Sequence, residues 1–270
     1  MEDASSAQPR GSRMISRVLP PAIRLWLSTQ LEHVENLQFQ IQGRDREILS
    51  GHLPEISLSA QKAVYQGIHL SQAAVTACSI QVNLGQVIRR KPLRLLAPFP
   101  ISGKVELTAA DFNESLQSPL LGEGLYDFLQ LLAQSQPEAT PLQAALDQLP
   151  DRTVHAHYQA HATIDADQII LQLQPKAWGL PAIAISTQLS IRDGHRLCLD
   201  NPHWLADDSM TATENSIPLA DLHGFEIDLG PEVTLTTCQI AANKLMLSGT
   251  VRVLPIEDEK NEHLASKYLR

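Results

Sequence analysis

The sequence predicts an α+β protein built on antiparallel β-sheet with one apolar and one polar face. Three observations carry this. Apolar residues recur at every second position, as in Leu37, Phe39 and Ile41 set among Asn36, Gln38, Gln40 and Gln42. A strand sends alternate side chains to opposite faces, so such runs make the half-covered strands typical of antiparallel sheets. Two stretches break that period: an apolar stripe at three- and four-residue steps from Ile15 to Val34, and a leucine-rich run of helix formers from Leu120 to Leu149.

Composition narrows the partners. The 270 residues are 43% hydrophobic and 19% charged, a globular balance that supports a substantial core. A net charge of −9 opposes duplex DNA, whose affinity comes largely from phosphate neutralisation. Aromatic residues make up 4%, too few for the stacking platforms of single-strand binders, so no nucleic-acid partner is expected. Cys78, Cys198 and Cys238 lie far apart in strand-like segments without C-x-x-C spacing. They read as buried, reduced thiols and fit a cytosolic compartment. Residues 1–13 are small and polar, without the apolar core of a signal peptide, and no later run is long enough to span a bilayer. The expected location is cytoplasmic, free or peripheral on the cytosolic face of a membrane.

Residues 1–13 are expected to be a disordered N-terminus and 256–270 a charged tail, leaving a single domain over 14–255. Its first helix places Leu19, Ile23, Leu27 and Leu31 on one stripe, and Pro20 and Pro21 put its true start near residue 21. Arg10, Arg13, Arg17 and Arg24 against Glu2 and Asp3 make this end locally basic. The stripe suits packing on the sheet, while the basic flanks also suit a membrane surface, with Arg24 and Trp26 as contacts.

A strand-rich half follows over about 36–107. After the Leu37 run come Ile56, Leu58 and Ala60 between serines, then Ile80, Val82 and Leu84 around Gln81 and Asn83. Turn chemistry at Gly43-Arg44, Gly51-His52 and Gln66-Gly67 separates these runs. Arg89, Arg90, Lys91 and Arg94 then form the concentrated basic run of an acidic chain, set among Val87, Ile88, Leu93, Leu95 and Leu96. It reads either as a solvated helix end plus loop or as a headgroup and membrane contact. Ile101 to Leu107 is a further strand, and Thr108-Ala109-Ala110-Asp111 is a capping box opening a helix.

Helical residues 108–150 join this half to a second one over about 153–254. There Val154 to Ile164 alternates with His155, His157 and His161. Further strands surround Leu171, Ile185, Leu235 and Leu247, and Asp193-Gly194 is a hairpin signal. The halves share a phrase, Ser102-Gly103-Lys104-Val105-Glu106-Leu107 and Ser248-Gly249-Thr250-Val251-Arg252-Val253.

Candidate chemistry is sparse. His155, His157 and His161 on one strand face could ligate zinc, yet no Cys or acid stands at a ligand spacing and their face is the wet one. Asp207 and Asp208 near His203 and Trp204 lie in a polar stretch with no nucleophile beside them. There is no G-x-S-x-G, no P-loop and no G-x-G-x-x-G. No catalytic residue, metal ligand or cofactor is nominated, and the chain is not expected to be an enzyme.

Several phrases together resemble a bacterial family. They are Ser16-Arg17-Val18-Leu19-Pro20-Pro21-Ala22-Ile23-Arg24-Leu25-Trp26-Leu27, Leu49-Ser50-Gly51-His52-Leu53-Pro54-Glu55-Ile56-Ser57-Leu58-Ser59-Ala60, Val64-Tyr65-Gln66-Gly67-Ile68-His69-Leu70-Ser71 and Asn83-Leu84-Gly85-Gln86-Val87. Ile101-Ser102-Gly103-Lys104-Val105 followed by Asp111-Phe112-Asn113 adds a strand-then-helix step. Over roughly residues 14–255 the chain resembles the LmeA-like phospholipid-binding proteins, most closely those of photosynthetic bacteria. The resemblance implies a long curved antiparallel sheet wrapping one or more helices, as in tubular lipid-binding folds, with an apolar groove for acyl chains. The best-known members are exported, whereas the first residues here suggest no leader. Strand alternation nominates Phe39, Ile41, Leu58, Tyr158, Leu171 and Ile185 for the groove, and Arg24, Trp26, Arg89, Arg90, Lys91 and Arg94 for headgroups. The expected function is non-enzymatic binding of phospholipid or another acyl lipid, peripheral to a membrane. The alternative is a protein-interaction or scaffold domain with a filled core.

Overall fold

The computed structural model describes residues 10–135, 143, 146, 154–165, 167–176, 180–205, 216–223 and 225–255, with backbone alone at 10–18, 120, 135, 155, 156 and 221. Of the disordered start expected over 1–13, residues 1–9 lie outside these residues, as does the charged tail at 256–270.

Helix α1 (Arg10–Gln30) leads into β1 (His33–Gln42), a single turn α2 (Asp45–Leu49), and the long hairpin β2 (His52–Tyr65) and β3 (Ile68–Gln81). Gln66 and Gly67 both take positive φ, 50° and 75°, the pair that a tight hairpin requires. A turn α3 (Leu84–Val87) and a loop reach β4 (Phe99–Thr108), followed by α4 (Ala109–Ser115) and α5 (Pro119–Ser135). Then come a helical turn α6 (Val154–His157), β5 (Tyr158–Ile164), β6 (Ile169–Pro175), β7 (Ile183–Arg192) and β8 (Arg196–Leu205). Short strands β9 (Ser216–Pro218) and β10 (Glu226–Asp228) precede a last hairpin, β11 (Val233–Ala241) and β12 (Lys244–Val253).

Among the described residues the strands form two antiparallel sheets. Sheet one runs β1-β2-β3-β4-β12-β11 and sheet two β10-β8-β7-β6-β5, with β9 beside β8. The α+β antiparallel class is as expected, and its strands divide between two sheets. The second strand-rich stretch is itself split, because its last hairpin returns to lie against β4. The shared phrases explain the return. Gly103 stands directly opposite Gly249, with Ser102 opposite Thr250 and Val105 opposite Leu247. A Cβ on Gly103 would meet the Ala74 carbonyl and come within 2.7 Å of Val75 Cα; one on Gly249 would come within 2.9 Å of Leu235 Cα. Two glycines thus let three strand junctions close tightly at the centre of the sheet.

Two cores result. Beneath α5, Leu125, Phe128, Leu129 and Leu132 pack with Tyr158, Ala160, Leu173, Ile183 and Ile185 of sheet two. At the other end, Leu19 and Ile23 of α1 pack with Ile48, Leu53, Ile56, Ala77, Ile80 and Phe99 of sheet one and its connections. Full burial of each such side chain contributes about 1.5–3 kcal/mol. The predicted capping box joins the parts. Asp111 Oδ2 accepts from the Thr108 backbone N–H at 3.0 Å, from the Thr108 hydroxyl, and from Ser71 Oγ of β3 at 2.5 Å. Asn113 then exchanges two hydrogen bonds with Ala162 on the edge of sheet two, at 2.6 and 2.8 Å.

Four expectations are corrected. Helix α1 begins at Arg10 and passes through Pro20 and Pro21 instead of starting near residue 21, so residues 10–13 are helical. Proline is costly inside a helix, but Leu19 and Ile23 on either side are buried, and that packing overrides the local preference. The strand expected through Leu84 ends at Gln81, because Val82 and Asn83 turn to meet Leu95 and Arg94. Residues 154–157 are helical, so His155 and His157 do not share a strand face with His161. Cys78 is exposed, because it lies opposite Glu55 on the wet side of β3, whereas Cys198 is buried and Cys238 partly buried.

Candidate apolar strip and basic rim

Register decides which side chains share a face, since directly opposed residues of antiparallel strands point the same way. On one face of sheet one the rows are mainly polar, for example Gln40, Ser57, Thr76, Ser102, Thr250 and Thr234. On the other face all rows are apolar. Ile41, Ile56, Ala77, Ile101, Val251 and Val233 make one; Phe39, Leu58, Val75, Gly103, Gly249 and Leu235 the next; Ala60, Ala73, Val105, Leu247 and Cys238 a third.

Coverage of that face is uneven. In the first row Ile41, Ile56, Ala77 and Ile101 belong to or pack against the core under α1, whereas Val251 is exposed. Farther along the strands, Leu107 and Leu245 are buried, and Ile240 opposite Leu245 packs against the core of sheet two. Between them, Leu58, Val75, Val105, Leu247 and Leu235 are only half-buried and belong to neither core. The two facing glycines make its floor. From Phe39 to Leu235 the strip crosses six adjacent strands, or about 24 Å at ~4.8 Å per spacing, comparable with an extended fatty-acyl chain. Among the described residues this strip is a half-buried apolar surface that joins neither core, which makes it a candidate binding face.

The groove nominees therefore separate. Leu58 lies in the strip. Phe39 and Ile41 line its edge, packed against the α1 core, and the Arg24 guanidinium stacks over the Phe39 ring at 5.7 Å. Tyr158, 1% exposed, and Ile185, 2% exposed, are sealed under α5, with Leu171 packed against the same core. These three, expected in a groove, sit in the core of sheet two: their strands alternate as those of sheet one do, but a helix packs over them. The Tyr158 hydroxyl finds no hydrogen-bond partner among the described residues, and burial pushes its pKa up to about 12. Val75, Val105, Leu235 and Leu247 were missed, because only the register shows that they share the face of Leu58.

The headgroup nominees meet at one end of sheet one. Arg89, Arg90, Lys91 and Arg94 are exposed on the connection from β3 to β4, and α1, bearing Arg24 and the half-buried Trp26, lies against α2 and α3. His161 is exposed on β5, and the side chain of His155 and residues 207 and 208 lie outside the described residues. Among the described residues no group of three or more His, Cys, Asp or Glu side chains could hold a metal ion. Within the same residues no helix is long and apolar enough to cross a membrane.

A family model described as LmeA-like phospholipid-binding matches residues 10–250, which include both sheets, α1 and the basic connection. No curated protein and no solved structure matches the chain.

Proposed function

The chain belongs to the LmeA-like phospholipid-binding family, and on that premise we propose that it binds a phospholipid by laying an acyl chain along the apolar strip of sheet one. The observation that carries this reading is the half-buried row from Leu58 through Val75, Gly103 and Gly249 to Leu235, which neither core covers. An acyl chain there would remove apolar surface from water at about 25 cal/mol per Å² without displacing any packed side chain. Sheet two, filled by α5, acts as the rigid support that holds the far end of the strip in place. The activity proposed is binding rather than catalysis.

The test is lipid uptake. Protein is incubated with vesicles carrying radiolabelled phosphatidylglycerol and then separated from them. Wild-type protein is expected to retain label. Val75→Trp with Leu247→Trp, which fills the strip from two neighbouring rows, should abolish retention while far-ultraviolet circular dichroism stays unchanged. Undiminished uptake by a folded double variant would remove the strip as the site.

A further inference from the structure

The basic connection is a built structure, and its construction carries a second inference. Asn83 is 7% exposed. Its Oδ1 accepts from the Arg94 N–H at 2.7 Å, and its Nδ2 donates to the Pro92 carbonyl at 3.0 Å and to Gln86 Oε1 at 3.1 Å. One buried side chain thus ties both ends of the loop. Helix α3 closes with the Lys91 N–H on the Gln86 carbonyl (3.0 Å) and the Arg90 N–H on the Val87 carbonyl (2.9 Å). This is a Schellman closure, and its left-handed position, normally glycine, is held by Arg90 at φ 65°. An arginine there costs backbone strain that glycine would not. The fold thereby presents Arg89, Arg90 and Lys91 together, all exposed, and among the described residues no ion pair engages them.

Exposed apolar side chains accompany the cations. Leu25 of α1 is 67% exposed, Leu49 of α2 42%, Ile88 42% and Leu96 59%. Helix α1 touches both α2 and α3, and Ile88 and Leu96 lie on the connection that follows α3. The chain from 83 to 100 contains no acid, in a protein of net charge −9; on α2, which touches α1, Glu47 accepts from the Arg44 N–H. Greasy tips ringed by unneutralised cations match the boundary between acyl chains and anionic headgroups.

We propose that this end of sheet one, with Arg89, Arg90 and Lys91 at its rim and Leu25, Ile88 and Leu96 at its tip, docks the protein onto the surface of an anionic phospholipid bilayer. The inference rests on the lipid-binding reading and adds where the protein meets the membrane and which charge that membrane must carry.

Cosedimentation with vesicles of phosphatidylcholine alone, or mixed with phosphatidylglycerol, tests it. Wild-type protein should bind the mixed vesicles, not the neutral ones, and bind less as salt rises. Each cation contributes roughly a five-fold factor, so Arg89→Gln, Arg90→Gln and Lys91→Gln together should weaken binding on the order of a hundred-fold. Arg90→Gly separates docking from folding: it should weaken binding about five-fold while thermal stability holds or rises. The triple variant should still take up labelled lipid on prolonged incubation, so a failed dock and a failed strip are told apart. Equal binding to neutral vesicles, or a triple variant that sediments like wild type, would overturn the proposal. So would retention on immobilised polyglutamate without vesicle binding, which would assign the surface to an acidic protein.

Discussion

Leu58 and Ile185 have the same standing in the sequence, and truncating each to alanine measures the difference between strip and core. Ile185 is 2% exposed and stands between Leu171 and Trp204 under α5. Ile185→Ala leaves a sealed cavity, and such deletions cost about 3–4 kcal/mol. Leu58 is half-buried and outside both cores, so its truncation opens no closed void. Only the part of the side chain already out of water is lost, about 1 kcal/mol. Urea unfolding of lipid-free protein reads both values. Loading with lipid adds a second contrast, because a ligand stabilises the folded state in proportion to its occupancy. The gap between wild type and Leu58→Ala should widen on loading, while that for Ile185→Ala should not. If Leu58→Ala costs as much as Ile185→Ala in lipid-free protein, the strip is sealed core and the scaffold reading replaces lipid binding.

Other substitutions probe the frame around the strip. Gly103→Ala puts a Cβ within 2.7 Å of Val75 Cα, so β3 and β4 must separate; a loss of about 2–3 kcal/mol in denaturant unfolding is expected. Burial works against the Asp111 carboxylate, but hydrogen bonds from Ser71 and Thr108 outweigh it and hold its pKa below the ordinary 3.8. Its contribution is therefore present above that value and lost as pH falls through the lower folded-state pKa. Asp111→Asn should cost about 1–2 kcal/mol near neutrality and flatten the acid limb of a stability–pH curve. Tyr158→Phe removes a buried hydroxyl that has no partner among the described residues, so stability should hold or rise; with Tyr158 present, stability should fall as pH climbs from 10 toward 12, because only the unfolded phenol ionises there.

The apolar face of sheet one was legible because its strands alternate strictly. Leu58 could be placed on that face from its own neighbours. What alternation cannot reveal is coverage. Tyr158 and Ile185 obey the same period, and only the position of α5 over sheet two makes them core. Strand partners were equally hidden: the repeated Ser-Gly phrase hinted at related halves, but its meaning, Gly103 facing Gly249 across β4 and β12, needed the register. The prolines of α1 misled because local preference yielded to the burial of Leu19 and Ile23. At the basic run the charge was visible in the sequence. The left-handed Arg90 and the Asn83 clamp were not, since both depend on hydrogen bonds within the loop.

Native mass spectrometry of freshly purified protein, followed by organic extraction and identification of what co-purifies, tests the central claim most directly. The account predicts a mass increment matching one phospholipid, present at near-stoichiometric level and absent from the variant carrying Val75→Trp and Leu247→Trp. A bare mass for the wild type, unchanged after incubation with phospholipid vesicles, would contradict it.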